Sequence, residues 1–152
     1  MKKTLITLLL TTATLGVRAQ VKTMAEVFRA MPDSVFPTLS TTNRLDLIDF
    51  MEAGMKSEVT NLLEGTTTLT ALTSDSLSLQ MSGSLRVDMK LLPAAEPSDS
   101  ITQTIRVART YIIKENQSER VVDTYTSDWH LLSSQVEHDS LLKCYDEVFS
   151  KP

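Results

Sequence analysis

The segment Leu85–Leu91 constrains the fold more tightly than any other stretch of this length. Leu85, Val87, Met89 and Leu91 alternate with Arg86, Asp88 and Lys90. A period of two sends the two sets to opposite faces of an extended chain, so one face is buried and the other wet. That pattern belongs to antiparallel sheets. The neighbouring strands are legible on both sides. Ser82-Gly83 is a hairpin signal, and before it Leu77, Leu79 and Met81 alternate with Ser78 and Gln80. The threonine-rich residues 67–73 read as a further strand ahead of a Ser74-Asp75-Ser76 turn. After PAAEPSDS, where Pro93 and Pro97 exclude regular structure, a longer hairpin follows. Ile105, Val107, Tyr111 and Ile113 alternate on one strand, Val121, Tyr125, Trp129 and Leu131 on the next, with Glu115–Ser118 as the loop.

Helical spacing appears at both ends of this block. Met24, Val27, Phe28 and Met31 fall at i, i+3, i+4 and i+7. Thr23 and Glu26 have the spacing of a capping box, and Pro32 ends the segment. The linker Asp33–Thr42 is expected to be extended, because Pro37 biases Phe36 away from helix. From Asn43, read as an N-cap with Asp46 at N3, Leu47, Ile48, Met51 and Met55 share one side. Gly54 either interrupts this helix or is absorbed by one running to Gly65; the break is favoured, with residues 57–63 extended. Leu141, Leu142, Cys144, Tyr145, Val148 and Phe149 form the apolar face of a C-terminal helix. The expected fold is therefore α+β: an antiparallel sheet of about five strands with amphipathic helices from both termini packed on one face.

Residues 1–19 are expected to be a Sec signal peptide, leaving one domain over residues 20–152. Lys2 and Lys3 make a basic start, an apolar and threonine-rich run follows, and Val17-Arg18-Ala19 is a small-x-small cleavage signal. The run is too short and polar to span a bilayer, so no integral membrane span is expected after cleavage. Removing Lys2, Lys3 and Arg18 takes the basic count from 15 to 12 against 19 acidic residues, a formal charge of −7. Such a surface disfavours nucleic acid. Cys144 is the single cysteine, so no intramolecular disulfide staples the exported chain.

Few residues suggest chemistry. Asp46, Asp49 and Glu52 share a helix side at i, i+3 and i+6, a spacing that suits a hard cation or an acid/base pair. A straight helix cannot surround an ion, and a solvated outer face explains the row more simply. Asp128 and His130 flank Trp129 in what reads as a strand, with Trp129 in the core and the polar pair on the other face. His130, His138 and Cys144 match no zinc spacing. No nucleophile elbow, Walker loop or dinucleotide fingerprint is present, and four glycines leave little material for one. Neither a cofactor nor a metal is expected.

The stretch MPDSVFPTLSTTNRLDLIDFMEAGMKSEVTN, followed by LTSDSLSLQ and MKLLP, resembles a family of small exported proteins of Bacteroides-type bacteria. That family is a domain of unknown function. The resemblance implies an exported single domain in a Gram-negative envelope and brings no catalytic residues. The functional expectation is non-catalytic binding or assembly with an envelope protein or ligand, through a sheet edge or a helix-flanked groove, and a homodimer stays open. The alternative is a small hydrolase or metal-dependent enzyme using Asp46, Asp49, Asp128 or His130.

Overall fold

The computed structural model describes residues 21–95, 102–114 and 117–137. Two short helices, α1 (Met24–Arg29) and α2 (Thr41–Glu52), precede seven strands. These are β1 (Glu58–Thr60), β2 (Thr66–Leu72), β3 (Ser76–Ser82), β4 (Leu85–Pro93), β5 (Gln103–Lys114), β6 (Gln117–Thr126) and β7 (Leu131–Glu137). All seven form one antiparallel sheet whose spatial order is the chain order. The α+β expectation is thus corrected: the described residues are mainly β, with seven strands rather than about five and only 6 and 12 residues in the two helices. The expected C-terminal helix lies outside the described residues. Among the described residues, no helix is long and apolar enough to cross a membrane.

The register explains the core. Leu79 pairs with Val87, and Leu77 with Met89, which pairs in turn with Val107. These side chains share one face of the sheet and are buried in a single cluster with Met24, Val27 and Phe28 of α1 and Leu47 and Ile48 of α2. We call this the helix side. On the opposite face, Asp88 is buried, its Oδ1 accepting from the Ser78 hydroxyl at 2.6 Å and from Arg86 at 3.0 Å.

The helices are short because their ends are chemically marked. Thr23 caps α1 in a capping box with Glu26, as its spacing predicts. α2 begins one turn earlier than expected. Ser40 is the N-cap, and Asn43 is the N3 partner that returns the bond, accepting from the Ser40 amide at 3.2 Å. The first turn of α2 therefore contains no acidic residue. At its far end Ala53 is the C-cap and Gly54 follows at φ +69°, a left-handed conformation that favours glycine. The break at Gly54 is borne out; of the expected extended residues 57–63, Glu58–Thr60 form β1, and the chain then turns at Leu62 and Leu63.

Starting α2 at Thr41 turns Arg44 inward, where it is 1% exposed. Its guanidinium donates to the carbonyls of Met31 at 2.6 Å and Leu39 at 2.8 Å, and to Asp33 at 2.8 Å and Thr41 Oγ1 at 3.0 Å. One side chain thereby holds both ends of the linker between the helices. The linker is not extended: Val35 N donates to Pro32 O, and Leu39 N to Phe36 O, making two successive turns that bury Phe36 and Leu39. An extended linker would leave two buried carbonyls facing Arg44 at the wrong spacing. Replacing Arg44 with Met keeps most of the apolar stem but strands the Met31 and Leu39 carbonyls. At roughly 1–3 kcal/mol for each unsatisfied buried acceptor, the loss should be about 2–6 kcal/mol in urea unfolding. Asp33→Asn should lower the midpoint far less, since Asp33 is exposed. Equal midpoints for Arg44→Met and the parent protein would contradict this reading.

Candidate functional site

On strands β5 to β7 the helix side carries a polar cluster. Asp123 in β6 accepts from Arg109 of β5, from the Tyr125 hydroxyl at 3.4 Å and from the Ser134 hydroxyl of β7. Arg109 also donates to the Val35 carbonyl at 3.4 Å, and its guanidinium lies 4.8 Å from the centre of the Phe36 ring. Burial opposes the charge of Arg109, but its contacts with Tyr125 and Asp123 outweigh that and raise its pKa above the ordinary arginine value. Three strands therefore meet at one carboxylate, and the linker joins them through Arg109. The cluster is internally satisfied, so its chemistry is positional.

Beyond this cluster the face changes character. α2 lies against β1 and β2, at the other side of the sheet. On β5 and β7, Tyr111, Leu131, Leu132 and Val136 are exposed large side chains. Val136 pairs with Val121, which pairs with Arg109, so the apolar strip runs directly outward from the polar cluster. A separate cleft of about 340 Å³ lies at the N-terminal segment, lined by Lys22, Asp75, Leu91, Pro93 and Gln103 among others. Its polar groups are committed locally: Gln103 exchanges two hydrogen bonds with the Lys22 backbone, and Lys22 Nζ reaches Asp128 at 2.6 Å.

The residues nominated for chemistry are dispersed. Asp49 and Glu52 face Arg29 of α1 at 3.4 and 3.3 Å, so two members of the acidic row help tie the helices together. Asp46 is half-buried on α2. Asp128, Trp129 and His130 do not lie in a strand. They form the tight turn between β6 and β7, where Thr126 N donates to His130 O and Trp129 N to Thr126 O. Trp129 takes φ +66° there, and its indole donates to the Val27 carbonyl at 3.0 Å. That buried anchor holds a conformation a bulky residue otherwise avoids. Trp129 is in the core, as expected, with Tyr125 at 5.4 Å between ring centres. Asp128 is turned to Lys22 and His130 is exposed. No group of three or more His, Cys, Asp or Glu able to hold a metal ion occurs among the described residues. His138 and Cys144 lie outside them.

Arg44, Arg109 and Asp123 were not anticipated as organising residues. For the last two a signal existed: a charge of opposite sign interrupts the apolar alternation of each strand, Arg109 between Val107 and Tyr111, Asp123 between Val121 and Tyr125.

The exposed carboxylates do have a measurable role. Hydrogen bonds from the Thr23 backbone and hydroxyl hold Glu26 below its ordinary 4.5, while Arg44 and Thr41 lower Asp33, and Lys22 lowers Asp128, from 3.8. The unfolded chain therefore takes up protons first. The stabilisation is complete above the ordinary values and is lost as pH falls below them through the lowered native ones. Between about pH 6 and about pH 3 the urea midpoint should fall, and by less in a Glu26→Gln/Asp33→Asn/Asp128→Asn variant. Parallel acid profiles for the two proteins would refute the assignment.

Comparison with known proteins places this architecture. A domain of an uncharacterized protein from Porphyromonas gingivalis W83 has a similar structure, with a TM-score of 0.57 and 28% sequence identity. The match covers 74% of this chain and 56% of that one, so the chain spans a little over half of that relative's length. No curated protein matches the chain. The model of a protein family of unknown function matches residues 16–145, which include both helices and all seven strands. The chain belongs to that family, described as proteins of unknown function (DUF3256).

Proposed function

We propose that this protein is a single-domain binding module of the Gram-negative cell envelope, exported through the Sec pathway after loss of residues 1–19, and that it works without chemistry of its own. The observation that carries this reading is the apolar strip on the helix side of β5 to β7. Tyr111, Leu131, Leu132 and Val136 are exposed there beside a rigid, internally satisfied polar cluster. A surface of that kind, with exposed apolar side chains beside a fixed hydrogen-bonded network, suits recognition of a protein partner. The formal charge of −7 after cleavage argues for a protein partner over nucleic acid. The acid/base alternative finds no support in the placement of Asp46, Asp49, Asp128 and His130, since Asp49 and Asp128 are engaged by separate cations at separate places.

The test combines address and surface. Cells expressing the full chain are fractionated and the N-terminal residue of the accumulated protein is determined. A photo-crosslinking amino acid is then placed at Tyr111 or, as a control, at Asp75. Export with Gln20 as the new N-terminus, and a protein adduct at Tyr111 but not Asp75, is the expected result. Retention in the cytoplasm overturns the envelope reading. Adducts at both positions, or at neither, overturn the assignment of this face.

A further inference from the structure

The two edges of the sheet are built differently. β1 is three residues long, carries Glu58 beside Lys56 at 2.6 Å, and has α2 against it. A short, charged and covered strand is a protected edge. β7, the far edge among the described residues, has none of these devices. It is seven residues long, and Leu131–Val136 contains no charge and no proline in a chain with 19 acidic residues. Six of its seven residues are exposed, Leu132 at 55% and Val136 at 53%. One bulge interrupts it, where Leu131 and Leu132 stand opposite Tyr125, and from Leu132 to Val136 an exposed, uncharged edge of this kind recruits another strand.

The sequence of β7 indicates which strand. An antiparallel pair of identical strands related by a two-fold axis keeps both helix-side faces on one side only if the axis passes through a residue. The midpoint of Leu131–Glu137 is Ser134. With the axis there, Ser134 faces its own copy, Leu132 faces Val136 of the second copy, and Val136 faces Leu132. Glu137 falls opposite Leu131, so no like charges meet. Val136 and Ser134 share the helix side, as their pairing with Val121 and Asp123 shows; Leu132, two residues before Ser134, reaches the same face at the bulge where it and Leu131 stand together opposite Tyr125. The two exposed apolar residues are thus set at equal distances from the axis, where each covers the other.

We propose that β7 is the interface of a two-fold homodimer, in which two seven-stranded sheets join edge to edge in the register centred on Ser134. The apolar strips of the two copies then become one continuous surface on the helix side. This deepens the binding reading for that face by naming a second copy as the first partner, and it does not depend on the envelope address.

The experiment uses the full chain expressed in an exporting host and purified in the form in which it accumulates. Sedimentation velocity should show a reversible monomer–dimer equilibrium within a range of about 1 µM to about 500 µM. Leu132→Lys should raise the dissociation constant about tenfold or more, because symmetry makes the change twice. Adding Val136→Glu to Leu132→Lys puts the two charges opposite each other across the axis and should restore dimerisation. Under mild oxidation Ser134→Cys should cross-link between copies, whereas Val136→Cys, offset from its own copy, should not. Circular dichroism of each variant establishes that it is folded. A monomer throughout the range, a dimer indifferent to Leu132→Lys, or failure of the charge pair to rescue overturns the proposal. The envelope reading stands or falls separately, on fractionation and the adduct at Tyr111.

Discussion

The structure depends on a buried guanidinium. Arg44 ties the Met31 carbonyl, just beyond α1, to the Leu39 carbonyl, just before the Ser40 cap of α2, and so decides how the linker between the helices is folded. Burying a charge is unfavourable unless it is well bonded. Here four acceptors surround it, although its Nε has none among the described residues. The linker in turn delivers Phe36 to Arg109, and Arg109 delivers the linker to Asp123, where β5, β6 and β7 converge. A chain of two arginines thus connects the linker to the far half of the sheet, beside the apolar cluster in which Tyr125 and Trp129 join Met24, Val27 and Phe28.

That arrangement divides the protein in two. Around β3 and β4 the helix side is filled by Met24, Phe28, Leu47 and Ile48 and is conventionally packed. Towards β7 cohesion comes from charge and hydrogen bonds, and apolar side chains are left over on the surface. The leftover residues are the ones with capacity for a partner. The acidic residues have been drawn into structure: Asp49 and Glu52 pair with Arg29 across the helices, and Asp128 pins the N-terminal segment through Lys22.

Much of the sheet was legible because its strands alternate cleanly. Leu77–Met81 and Leu85–Leu91 could be read by eye, and so could the Thr23/Glu26 cap and the Gly54 stop. The failures have physical causes. Ser40, Thr41, Thr42 and Asn43 are all good caps, and nothing local says which one wins; the burial of Arg44, a tertiary effect, decides it. β1 is too short to show a period. β7 was missed because a bulge at Leu132 breaks its alternation, and because the turn before it contains neither glycine nor proline. Its positive-φ residue is Trp129, held by a bond to α1 that no local pattern announces. Counting strands without β1 and β7 while expecting helices at both ends produced the α+β assignment. The charge interruptions at Arg109 and Asp123 are visible in the sequence, and the parity of each position places it on the core face.

The central claim is that the linker between α1 and α2 is part of the folded core, clamped by Arg44 and Arg109. Native-state hydrogen exchange addresses it most directly. The Val35 and Leu39 amides donate within the linker turns, and Arg44 N donates to Ser40 O at the start of α2. On this account the Leu39 and Arg44 amides exchange as slowly as those of β3 and β4, with Val35 close behind. Exchange of the linker amides at the rate of an open loop, while β3 and β4 stay protected, would contradict it.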